Sequence, residues 1–167
     1  MKRTLKAAAA LALITAFGAM EASAQNRTVI TQHGRDNGVA AYQQGTRNGA
    51  VVDQTGREHY SRAWQQGRRN FLRMNQGGTR NQAITEQRGD DNLAVTGQEG
   101  RNLRAATYQN GYGNIAGIAQ IGNGSIATTD QGGVNNTSAI IQVGNGQDAS
   151  VRQRGDNNIT VVIQGGP

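Results

Sequence analysis

QQGTRNGAVVDQ, running from Gln43 to Gln54, holds the pattern on which the fold turns. Glutamine opens this stretch and recurs eleven residues later, with Gly45 two places after the first, then Asn48 and Ala50. The spacing continues along the chain without insertion or deletion. Glutamine stands at Gln32, Gln43, Gln54, Gln65, Gln76, Gln87, Gln98, Gln109, Gln120, Gln131, Gln142, Gln153 and Gln164. Glycine follows each at a distance of two, at Gly34, Gly45, Gly56, Gly67, Gly78, Gly89, Gly100, Gly111, Gly122, Gly133, Gly144, Gly155 and Gly166. With glutamine as position 1 and glycine as position 3, position 6 is Asn in eight of twelve units and position 8 is Ala in seven. Thirteen matches of thirteen at two positions mark a repeat protein, whose architecture can be read from one unit.

Eleven residues also close three turns of α-helix. A glycine in every unit would cost that helix about 1 kcal/mol each relative to alanine, and the β-branched residues alternate instead of forming a stripe. The unit is therefore strand and turn. Positions 6 to 12 are expected to alternate inward and outward, and positions 2 to 5 to turn around the glycine, which supplies positive φ or a close backbone approach. One face then carries Asn, Ala, a small or β-branched residue and Gln, as in Asn48, Ala50, Val52, Gln54 and in Asn92, Ala94, Thr96, Gln98. Small residues let two sheets approach. Stacked Asn and Gln amides bond to their copies above and below, so burial does not leave them unpaired.

A second layer sits on the first. In every other unit position 6 is Asn without exception: Asn48, Asn70, Asn92, Asn114, Asn136 and Asn158, with Asn26 in the same register. The intervening units read Asn37, His59, Asn81, Leu103, Ser125 and Gln147. Alternate units therefore stack, and the rung is a 22-residue strand-turn-strand-turn whose two strands lie in different sheets. The expectation is an all-β, two-sheet β-solenoid built from 11-residue repeats. Its thirteen strands begin with Asn26–Gln32 and make about six and a half rungs, ~30 Å long at ~4.8 Å per rung.

The residues before Gln25 read differently. Lys2, Arg3 and Lys6 precede a mostly apolar run, Ala7 to Met20, and Ala22-Ser23-Ala24 offers a small-x-small cleavage site. This is the pattern of a secretory signal peptide, residues 1–24, and the run is shorter than the roughly 20 residues of a membrane span. Residues 25–167 then form a single repeat domain. They keep 14 arginines against 10 acids, no lysine and no cysteine. The lack of cysteine excludes disulfides and thiolate metal sites. The basic excess lies in residues 25–104, net +5, whereas residues 105–167 carry −1. An acidic partner would bind the basic half.

Q-x-G-x-x-N-x-A-x-x-x-Q, repeated in strand-turn-strand units after a secretory signal, resembles the curlins, the subunits of bacterial curli amyloid fibres. The resemblance runs from about Gln25 to Gly166. It implies a secreted structural subunit that polymerises with itself and with other curlin subunits, passes through the curli secretion machinery, and forms fibres at the bacterial surface in biofilm and adhesion. Within the family the basic, less regular chain looks closer to the minor, nucleating subunit than to the major one. The apolar last strand (Ile159, Val161, Ile163) and the weakly charged C-terminal half depart from that pattern.

Positions 7, 9 and 11 are expected to face solvent. One sheet shows Tyr42, Tyr60, Arg62, Trp64, Ile84, Glu86, Arg104 and Tyr108; the other shows Val51, Phe71, Arg73, Leu93, Val95, Ile115, Ile141, Ile159, Val161 and Ile163. The second face reads either as a lateral docking surface or as plain strand propensity. Neither end of the solenoid carries a blunting strand or cap, which predicts end-to-end addition. Arg68, Arg69, Asp90, Asp91 and Asp156, at positions 4 and 5, read either as gatekeepers against premature assembly or as ordinary solvated turns.

Other chemistries find little support. No acid, base and nucleophile recur together, and no cofactor, metal site or small-molecule substrate is expected. His33 falls in a turn and His59 replaces a ladder Asn. Calcium-binding β-rolls have a nine-residue period. The rival function is a secreted, non-amyloid solenoid that binds acidic polymers such as extracellular DNA, nonspecifically, through Arg62, Arg104, Tyr60, Trp64 and Tyr108.

Overall fold

The computed structural model describes residues 11–15, as backbone, and 25–166. Apart from Leu11–Thr15, the expected signal peptide lies outside the described residues. Among the described residues every element is a strand. They are β1 Leu11–Thr15, β2 Arg27–Arg35, β3 Gly38–Thr46, β4 Gly49–Arg57, β5 Tyr60–Arg68, β6 Phe71–Thr79 and β7 Gln82–Asp90. Then follow β8 Leu93–Arg101, β9 Arg104–Tyr112, β10 Ile115–Asn123, β11 Ile126–Val134, β12 Thr137–Asn145, β13 Asp148–Asp156 and β14 Ile159–Gly165. Odd strands from β1 to β13 form one parallel sheet, sheet A, and even strands from β2 to β14 form the other, sheet B. The chain crosses from sheet to sheet at every turn, so the two-sheet β-solenoid expected from the period is the observed fold.

Register is the 22-residue rung from β2 to β14. Gln65 lies beside Gln87 and Gln87 beside Gln109, as Gly67 does beside Gly89. Positions 8, 10 and 1 point inward. Two apolar clusters form the core, one around Val52, Leu72 and Met74 and the other around Ile118, Ile140 and Val151. Between and among them sit Thr85, Thr107 and Thr129, whose hydroxyls are buried without hydrogen-bond partners. The core is thin, and polar ladders must supply much of its cohesion.

Strand boundaries differ from the expectation. Each of the strands from β3 to β13 starts at position 7 and continues through glutamine and glycine to position 4 of the next unit, and only positions 5 and 6 reverse the chain. The glycine therefore lies inside a strand, at φ from +94° to +138° between Gly34 and Gly155. From Gly34 to Gly144 a Cβ there would meet the carbonyl group of the glycine one rung on, so positive φ and close approach both apply. Parallel backbones stay bonded through this kink because every rung kinks at the same place. A second positive φ, which the period did not reveal, falls at position 5, from Asp36 (58°) to Asn157 (58°). Asn, Asp or Gly occupies eight of those twelve positions, the residues that tolerate a left-handed backbone best.

The strand β1 also departs from the expectation of two bare ends. It pairs in parallel with β3, Leu11 beside Gly38 and Thr15 beside Tyr42, and covers the first edge of sheet A.

Candidate assembly site

Inside the solenoid, the glutamines form two ladders. In sheet A, Gln43 Nε2 donates to Gln65 Oε1 at 2.6 Å, Gln65 to Gln87 at 2.8 Å, Gln87 to Gln109 at 2.9 Å, Gln109 to Gln131 at 3.0 Å and Gln131 to Gln153 at 2.8 Å. In sheet B the same bond links Gln32, Gln54, Gln76, Gln98, Gln120, Gln142 and Gln164 in order. From Gln43 to Gln164, the second N–H of each amide crosses to the opposite sheet, as Gln87 Nε2 to Phe71 O at 3.0 Å. A glutamine thus ties one rung to the next and one sheet to the other. Asn or Ala in its place would be too short for both.

The asparagines close one corner. Asn70 Nδ2 donates to Asn48 Oδ1 at 3.2 Å and to Gly89 O at 2.6 Å, and Asn48 Oδ1 also accepts the backbone N–H of Asn70 at 3.0 Å. The pattern repeats at Asn92, Asn114 and Asn136, and Asn158 joins through Asn136 Oδ1 at 2.8 Å. Isolated turns would leave these backbone groups unpaired; the stacked side chain satisfies them.

The opposite corner is irregular. His59 is 2% exposed and stands in for Asn: its backbone N–H donates to Asn37 Oδ1, while its ring Nδ1 accepts the Asn81 N–H at 3.2 Å and its Nε2 faces Thr55 O at 3.2 Å. That geometry requires a neutral ring with hydrogen on Nε2. Burial pushes the ring below its ordinary value of 6.5, against the opposing influence of Thr55 O and Glu99. Protonation at Nδ1 would confront one N–H with another. Because the folded value is the lower one, stability is fully present above pH 6.5 and is lost as pH falls below it. Assembly at pH 5 is expected to be a few-fold slower than at pH 7.5. His59→Asn should remove most of that difference, read as thioflavin T half-times of both chains at both pH values. Further along, Leu103 donates its backbone N–H to Asn81 Oδ1 at 3.0 Å, but its own side chain offers no acceptor for the N–H of Ser125. Leu103→Asn should restore that link and lower the fibre's soluble residue severalfold, despite the apolar area lost.

Outer faces hold residues that the period alone did not single out. Since strands run on to position 4, position 2 also faces outward. Arg88, at such a position, stacks its guanidinium 4.4 Å from the ring centroid of Trp64, which lies 6.2 Å from Tyr42. Ile121 and Val143 join the apolar face of sheet B, at 54% and 47% exposure, beside Val95, Ile115 and Ile141. The alternation rule would have found them had the strands been extended through the glycines. Arg68 and Arg69 pair with Asp90 and Asp91 one rung on, at 2.7 and 2.6 Å. Those guanidinium groups hold both carboxyls below the usual range. The pairs favour the 22-residue register, though solvent screening leaves each exposed pair only a small contribution.

Comparison with known families returned the Curlin associated repeat, which matches residues 34–67 and 78–106. No curated protein and no solved structure matches the chain. The match supports a relationship to the curlins, whose repeat is structural, and the glutamine-laddered solenoid fits a subunit of curli-type amyloid.

Proposed function

We propose that this chain is a secreted subunit of an extracellular curli-type amyloid fibre, exported under residues 1–24 and assembled at the cell surface, where it serves biofilm and adhesion. The observation that carries this reading is the ladder itself. Each glutamine presents the same acceptor upward and the same donor downward, so the last rung poses the bonding problem that the next copy solves. At the C-terminal end, Ile159, Val161 and Ile163 are 77%, 59% and 72% exposed on an edge strand that carries no blunting charge of its own. Self-association is the main partnership; other curlin subunits and the curli secretion machinery follow from the family resemblance, and a nucleating role follows from the basic N-terminal half.

Purified in denaturant and diluted into buffer, Gln25–Pro167 is expected to convert from coil to β-structure with a rising thioflavin T signal. A very short lag favours the nucleating role. A stable β-rich monomer without thioflavin signal overturns the fibre reading.

A second reading draws on sheet A, where Arg88, Trp64 and Tyr42 form a cationic, aromatic face suited to acidic polymers. Ion pairing weakens it: Arg62, Arg68, Arg69, Arg73, Arg80, Arg152 and Arg154 all have carboxylate partners. Binding to DNA without sequence preference, lost at moderate salt, is the result this reading requires.

A further inference from the structure

Among the described residues after residue 24, thirteen strands, β2 to β14, wind between the sheets, and the number is odd. The winding begins on sheet B and ends on sheet B. A second copy stacked in the same orientation would lay its β2 on β14 of the first. Sheet A would then lack one strand at the junction, leaving β13 and the next β3 ~9.6 Å apart, two strand spacings. Both edges would keep unpaired backbone groups.

We propose that each added copy is instead turned by half a revolution about the solenoid axis. Its β2 then continues sheet A on β13, and its β3 continues sheet B on β14. This inference rests on the fibre reading and specifies the interface within it. The 11-residue period sets the register: Gln153 meets Gln32 of the added copy, Gln164 meets Gln43 and Asn158 meets Asn37, so both glutamine ladders run on unbroken.

Two observations favour the turned arrangement. Gln147 Oε1 is buried and has no hydrogen-bond partner. It belongs to the corner where polar side chains accept the backbone N–H one rung on, as Asn81 Oδ1 does from Leu103 and Ser125 Oγ from Gln147; the apolar Leu103 is the exception. The half-turn brings the N–H of Asn26 of the added copy to that place; the unturned stack leaves it empty. Charge points the same way. Asp148 meets Arg27 of the added copy and Asp156 meets Arg35, each at equal position on neighbouring strands. Within the chain, that relation produces the Glu58–Arg80 pair at 2.7 Å. Without the half-turn, Arg27 meets Ile159 and both aspartates face the missing strand.

The strand β1 bears on the same edge. It shows that β3 accepts a parallel partner there, and removal of residues 1–24 clears the edge for β14 of the neighbouring copy. One consequence is that the apolar face of sheet B alternates sides from copy to copy, so lateral contacts would form on both flanks of the fibre.

Engineered cysteines test this, since the chain has none of its own. The chain is expressed with its leader, so that the secreted form assembles. The half-turn places residue 163 beside residue 42 of the next copy, with Cα atoms ~4.8 Å apart, within disulfide reach. The unturned stack places 163 beside 31. Within one copy neither pair is near, so any bridge joins copies. Fibres of Tyr42→Cys/Ile163→Cys are expected to give disulfide-linked multimers on oxidation, and those of Thr31→Cys/Ile163→Cys none. The reverse result, or no bridge in either fibre, overturns the half-turn while leaving the fibre reading intact. Absence of fibres from the parent chain overturns both. Should the cysteine variants not assemble, charge reversal decides. Asp156→Arg is expected to slow elongation about fivefold and Asp156→Arg/Arg35→Asp to recover it, whereas equal rates in the single and double variants overturn the proposal.

Discussion

Gly89→Ala is expected to raise the soluble concentration left at the end of assembly by at least a hundredfold. Gly89 has φ +106°, and an alanine Cβ there would strike the carbonyl oxygen of Gly111, with the carbonyl carbon at 2.9 Å. The obstruction is backbone, so no rotamer change relieves it. Residues held at disfavoured dihedrals cost about 1–3 kcal/mol, and overpacking adds about 1–3 kcal/mol. Nor can the strand simply shift, because its neighbours on both sides are kinked at the same glycine position. Gly97→Ala is the matched control. Gly97 lies on the outer face of β8, its φ is not positive, and nothing lies within 4 Å of an added Cβ. Alanine there should leave assembly unchanged or quicken it, since glycine weakens a strand interior. Equal soluble concentrations for the two variants would remove the close rung-to-rung approach as the reason for the glycine.

Gln87→Met is expected to be nearly as damaging, although its volume is almost conserved. Gln87 is fully buried. Its loss removes the acceptor for Gln65 Nε2 and the donors to Gln109 Oε1 and Phe71 O. Each buried polar group left unpaired costs about 1–3 kcal/mol, so a loss of about 3 kcal/mol or more is expected, again about a hundredfold in soluble concentration. Gln66→Met changes the exposed neighbour and should stay within about 0.5 kcal/mol. If the two variants assemble alike, the ladder is not what holds the rungs.

The central architecture was legible because repetition converts sequence directly into neighbours. Residues 22 apart pair in the 22-residue register, so identical amides at Gln65, Gln87 and Gln109 could only stack. The irregular corner was less legible. His59 and Leu103 break the run of asparagine, and the consequence of each break depends on the ring tautomer or on an acceptor that is missing, not on position. The strand ends were placed three residues too early because glycine has no side chain with which to continue the alternation. That error hid Arg88, Ile121 and Val143 from the outward faces.

By itself, the sequence determined the period, the two sheets, the parallel register and the inward Gln, Asn and Ala faces, since each is a property of one repeating unit. Only the tertiary structure decided the position-5 reversal, the Arg88–Trp64 stack, the Arg68–Asp90 and Arg69–Asp91 pairs and the buried, unmatched oxygen of Gln147. Those features arise where the repeats differ from one another, and differences acquire meaning only beside the particular residue that lies one rung away.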